Sequence, residues 1–152
     1  MYEVTQFMSQ EHAQLAALFR EYQVLRSEFP DRARRTLEQF TAGLERHMEL
    51  EETILFPRFE SFAQMGNSGP TTVMRSEHKE IRGALARLRS GCSGDDAEII
   101  EHTLLESLRA HEAMEDLVFS PWLDETLSET ERFGLFEQMS HYPAATPQTL
   151  HR

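Results

Sequence analysis

The sequence predicts an all-α protein, an antiparallel up-down-up-down four-helix bundle with a short fifth C-terminal helix. Three observations predict it. Apolar residues recur at three- and four-residue spacing through four long segments, and strand-like alternation is nearly absent. Short breaker clusters separate those segments, and short loops between long helices make neighbours antiparallel. The chain also repeats itself. Leu44, His47, Glu51, Glu52, Ile54 and Pro57 match Leu108, His111, Glu115, Asp116, Val118 and Pro121 at an offset of 64 residues, and Glu11-His12 matches Glu77-His78 at an offset of 66. The chain therefore reads as two similar helical hairpins.

The first helix is expected over residues 5–28. Phe29-Pro30-Asp31 ends it and opens the second, 31–63, with Asp31 as N-cap. Gly66-Asn67-Ser68-Gly69-Pro70 is the clearest loop, and Pro70 suits the first turn of a third helix over 70–90. Ser90-Gly91-Cys92-Ser93-Gly94 separates that helix from a fourth over 95–124, where Asp95 and Glu98 have capping-box spacing. Ser128 and Glu131 repeat that spacing before the fifth helix, 128–140. Residues 1–141 form one domain in this reading, and 142–152, with Pro143 and Pro147, a flexible tail.

The inward stripes run Met8, His12, Leu15, Phe19, Tyr22; then Leu37, Phe40, Leu44, His47, Glu51, Ile54; then Met74, His78, Ile81, Leu85, Leu88; then Leu104, Leu108, His111, Glu115, Val118, Trp122. Each stripe has a histidine set into it, and two carry a glutamate as well. Polar residues at core positions need partners.

A net charge of −11 excludes nucleic acid and an anionic membrane surface as main partners, since both call for a basic face. No stretch approaches the ~20 apolar residues of a membrane span. The N-terminus carries Glu3, Gln6, Glu11 and His12 where a signal peptide would be apolar, so the chain reads as cytoplasmic. The single cysteine, Cys92, is read as an exposed loop residue.

Residues four apart share a helix face, so His47 with Glu51, and His111 with Glu115, can reach one ion or two adjacent ions. Imidazole and carboxylate both suit iron, manganese or zinc. The metal ligands expected are His12, His47, Glu51, His78, His111 and Glu115. Six are too many for one tetrahedral zinc and suit two octahedral ions, each taking two histidines and one oxygen from each bridging glutamate. Positions remain for an oxo or hydroxo bridge and an exogenous ligand. A zincin would need His-Glu-x-x-His, and His111-Glu112 fails that pattern at Glu115. Glu11, Glu52, Glu77 and Asp116 are assigned solvated or imidazole-orienting roles. Met8 and Met74 are read as core, and His102, half a turn out of phase with His111, as facing solvent.

The order His12, His47-x-x-x-Glu51, His78, His111-x-x-x-Glu115, with Glu51-Glu52 and Leu55-Phe56-Pro57, resembles the hemerythrin-like (HHE cation-binding) family over residues 5–124. The resemblance implies two non-haem iron ions in a four-helix bundle, with oxygen or nitric oxide as a small diatomic ligand or a role in iron-related stress responses. Oxygen-carrying hemerythrins have a further histidine four residues from the one on the third helix. Met74 and Arg82 hold those positions here, so the set is more similar to non-carrier members. Two other readings use the same residues. One is a redox enzyme of peroxidase or nitric oxide reductase type. The other is a module whose fold, and so partner choice, responds to iron.

Overall fold

A computed structural model describes residues 3–63, 69–91 and 94–143. The described residues are helical, with no strand among them. The helices are α1 (Val4–Leu25), α2 (Pro30–Leu50), α3 (Phe56–Ala63), α4 (Pro70–Arg89), α5 (Gly94–Met114), α6 (Ser120–Thr126) and α7 (Glu129–Ser140). A π-helical turn, Glu51–Leu55, joins α2 to α3 without a break, and a second, Glu115–Phe119, joins α5 to α6. The four bundle rods are thus α1, α2–α3, α4 and α5–α6, with α7 as the fifth helix. The breaker at 64–68, Cys92, and the tail from 144 lie outside the described residues.

Pro70 opens α4, and Ser128 caps α7 through a full capping box: Glu131 N–H donates to Ser128 Oγ (3.2 Å), and Ser128 N–H to Glu131 Oε1 (2.8 Å). Two expected caps are corrected. Asp31 lies inside α2, because Pro30, whose missing N–H costs nothing at a helix start, takes the first position. Asp95 lies in the first turn of α5, which begins at Gly94; both aspartates face the positive end of the helix dipole instead of capping it. The first helix stops at Leu25, where a turn over 26–28 prepares the residue before Pro30 for a non-helical conformation. The start of α1 is capped from a distance. Val4 N–H and Thr5 N–H donate to the two oxygens of Asp124 on α6 (2.7 and 3.0 Å), and Thr5 Oγ–H donates to the same carboxylate (2.6 Å).

The π turns correct a further expectation. Each adds one residue to its rod, so every later side chain is displaced by one position from the regular stripe. Ile54 is only partly buried while Leu55, Phe56 and Phe59 fill the core. In the other hairpin Val118 is 53% exposed, and Phe119 and Leu123 are buried in place of Val118 and Trp122, the latter half-buried.

Two apolar layers result. One joins Leu15, Phe19, Phe40, Leu44, Ile81, Leu85, Leu104 and Leu108. The other joins Met8, Leu55, Phe56, Met74, Phe119 and Leu123 with Leu135 and Met139 of α7, which closes that end. Gly43 lets α2 come close to α1, since a Cβ there would lie 2.9 Å from Leu15 Cδ2. The histidines fall between the layers. His12 follows Met8 of one and precedes Leu15 of the other, and His78 stands likewise between Met74 and Ile81.

Candidate metal centre

Four rods each bring one histidine to this middle layer, because each histidine occupies a core position of its stripe. The two glutamates arrive one turn after His47 and His111, each as the first residue of a π turn. All six expected residues are buried, and the side chains of Glu51, Glu115 and His78 are wholly inaccessible. They gather into two groups whose ligand atoms lie within 4.8 Å of one another: His12, His47 and Glu115, and Glu51, His78 and His111. Each pocket thus combines both histidines of one hairpin with the carboxylate of the other.

The carboxylates also reach across. Glu51 Oε1 lies 3.0 Å from His78 Nε2, 3.5 Å from His111 Nε2 and 3.8 Å from His47 Nε2. Glu115 Oε1 lies 2.9 Å from His12 Nε2, 3.7 Å from His111 Nε2 and 3.8 Å from His47 Nε2. The Nε2 atoms therefore face the centre, with those of His78 and His111 3.1 Å apart. His47 Nε2, Glu51 Oε2 and Glu115 Oε2 are buried with no hydrogen-bond partner. Such atoms carry a large desolvation cost unless something satisfies them. Imidazole nitrogens and carboxylate oxygens converging in a dry layer are the donor set a first-row divalent metal takes, so the residues fit a metal.

A ring of four carboxylates surrounds this centre and holds the outer nitrogens. His47 Nδ1 lies 3.2 Å from Glu11, His78 Nδ1 2.6 Å from Glu52, His111 Nδ1 2.8 Å from Glu77, and His12 Nδ1 3.4 Å from Asp116. Each contact joins neighbouring rods, and together they run once around the bundle. A carboxylate on Nδ1 keeps the proton there and leaves Nε2 free to ligate. Of the two roles expected for these four acids, the orienting one is observed.

Electrostatics follow from this packing. Burial would raise the Glu51 carboxyl, but His47, His111 and His78 beside it hold it far below the usual carboxylate range. Burial would lower His47, yet Glu51 and Glu11 raise it; His111 is raised against its burial by Glu51 and Glu77. Without a metal, Glu51 thus stays ionised beside His47 and His111, which are biased toward their charged forms. Glu112 is pushed up by burial, against the pull of His12 and His47, which lower it.

Sequence reasoning missed Arg82 as anything but a departure from the five-histidine pattern. Its guanidinium donates to both oxygens of Glu52 (2.9 and 3.0 Å), and Nε donates to Glu45 (3.3 Å). Its place one turn after His78, on the face turned to Glu52, was the available signal. As expected, His102 is exposed and Met8 and Met74 are fully buried. No described helix is long and apolar enough to cross a membrane.

The family model described as the hemerythrin HHE cation-binding domain matches residues 3–133. No curated protein and no solved structure matches the chain.

Proposed function

Because the chain belongs to the hemerythrin HHE cation-binding domain family, we propose that it is a non-haem di-iron protein that binds or senses a small diatomic ligand, oxygen or nitric oxide, or handles iron under stress. The observation that carries this reading is the pair of buried three-residue pockets, each with a carboxylate that also reaches a histidine of the other, Glu51 to His47 at 3.8 Å and Glu115 to His111 at 3.7 Å. In it His12, His47, His78 and His111 would hold the ions through their inward nitrogens, and Glu51 and Glu115 would supply the carboxylate oxygens. Two irons so held would supply redox-active Lewis-acid sites with coordination positions left for an exogenous ligand.

The protein's own part is to build and guard the place. Glu11, Glu52, Glu77 and Asp116 fix each imidazole's proton on Nδ1 and its lone pair inward. The two apolar layers keep bulk water away from the centre, and the Phe56 ring stacks on His78 at 5.5 Å. A small uncharged ligand can enter such a layer at less cost than an ion or a sugar, since it brings no large hydration shell.

The test is metal analysis of the purified protein together with its absorption spectrum before and after exposure to air. About two irons per chain, with near-ultraviolet bands that change on reduction, is the expected result. No iron, or one zinc per chain, would refute the reading. Glu51→Ala should lower the iron content, and an unchanged content would count equally against it.

A further inference from the structure

The chain's twofold repeat invites the assumption that its two pockets are alike, but the residues around them differ at equivalent positions. His78 Nδ1 lies 2.6 Å from Glu52, whereas its counterpart His12 Nδ1 lies 3.3 and 3.4 Å from the two oxygens of Asp116. His111 Nδ1 lies 2.8 Å from Glu77, whereas His47 Nδ1 lies 3.2 Å from Glu11. Both contacts are shorter on the side of Glu51, His78 and His111.

For one of them the cause is a neighbouring arginine. Arg82 grips Glu52 with two hydrogen bonds and is itself held by Glu45, so the Glu45–Arg82–Glu52–His78 chain is fixed along its length. A planar guanidinium matched to both carboxylate oxygens is the most directional brace a side chain offers. The residue 66 positions earlier, where the repeat would put the counterpart of Arg82, is Ala16, and Asp116 has no such grip among the described residues. The other pocket does have an arginine, but Arg46 meets Glu11 through one nitrogen at 3.5 Å and is shared with the Tyr142 carbonyl.

A second asymmetry lies on the opposite side of the layer. Phe56 stacks on His78, and the residue 64 positions on is Ser120, a buried hydroxyl with no hydrogen-bond partner. A ring therefore covers the braced pocket, and only a small polar residue stands at the equivalent position of the repeat.

We propose that the two pockets hold metal unequally: Glu51, His78 and His111 form the tight, slowly exchanging half, and His12, His47 and Glu115 the labile half, with Arg82 the positioning residue that sets them apart. This rests on the di-metal reading above. Preorganised ligands lose less freedom when an ion binds, and removal of an outer partner of a metal-bound histidine costs typically 10- to 100-fold in affinity.

The experiment is chelator-driven release of cobalt(II) from the fully loaded protein, followed by its visible absorption, with loaded stoichiometry measured first. The wild type should hold two equivalents and release them in two phases. Glu52→Gln should speed only the slow phase, by about 10- to 100-fold; Arg82→Ala should speed the same phase by up to about 10-fold, and Arg82→Lys by less. Asp116→Asn should speed only the fast phase. A general loosening of the bundle would instead speed both phases in either variant, which overturns the assignment. Two equivalents leaving the wild type in one phase would overturn the inequality and leave the di-metal reading standing. Fewer than two equivalents at saturation would overturn both.

Discussion

Stripping the metal from this protein should cost it a large part of its stability, and the size of the loss can be worked from the centre. Three buried polar atoms, His47 Nε2, Glu51 Oε2 and Glu115 Oε2, have no hydrogen-bond partner. Each such atom costs about 1 to 3 kcal/mol. Some of that is recovered in the metal-free protein, since Glu51 is held ionised and His47 and His111 are raised toward their charged forms. The lower part of the range is therefore appropriate, about 3 to 6 kcal/mol, against a usual total near 5 to 15 kcal/mol for a domain. For a chain of this length 1 kcal/mol moves Tm by about 2 to 4 °C, so chelation should lower Tm by roughly 6 to 24 °C. The assay is calorimetric melting of metal-loaded and chelated protein, with back-addition of metal to show reversal. Chelation should leave the protein helical at low temperature, because neither apolar layer depends on the ion. A reversible shift below about 3 °C would mean that the orphaned atoms find partners without metal, and the reasoning would be wrong.

Other perturbations read different parts of the structure. Phe119→Ala should destabilise the protein by about 3 to 5 kcal/mol, and Val118→Ala, at a 53% exposed position, by no more than about 0.5 kcal/mol; equal effects in urea unfolding would refute the π-turn register. Asp124→Ala removes the acceptor for two N–H groups at the start of α1 and should cost about 1 to 2 kcal/mol, seen as a lower midpoint in urea with unchanged metal content. Metal uptake should release protons near neutral pH, because ligating histidines must be neutral while His47 and His111 are raised in the metal-free state. A raised group is protonated below its folded value, so the number released should fall as pH rises through that value. Calorimetry in buffers of different ionisation enthalpy gives the count, and one that grows with pH would contradict the ion pairing described.

The rods and the six central residues were legible because both depend on short-range periodicity. His47 and Glu51 share a face whatever happens further along, and a histidine in an apolar stripe can be seen with no knowledge of its partner. The pairing of the outer acids was less visible. Glu11 lies next to His12 in sequence but holds His47 on the neighbouring rod, a contact fixed by helix rotation and packing. Two things were out of reach for a related reason. A π turn needs no special residue type, so the stripe was carried through Ile54 and Val118 as if the helix were regular. The cap on α1 comes from Asp124, about 120 residues away, and no local signature announces an acceptor from another element.

The two π turns set regularity against purpose. Each rod carries one more residue than a smooth α-helix of the same reach requires, and the surplus begins at Glu51 and at Glu115. Loss of an exposed residue such as Thr53 would let the rod relax to ordinary pitch with Leu55 and Phe59 sliding onto the regular stripe, still facing inward. The simplest single-residue deletion in this chain would therefore yield a more ordinary helix, with His47 and Glu51 still on one face. Selection for heat resistance alone would be drawn toward erasing both irregularities.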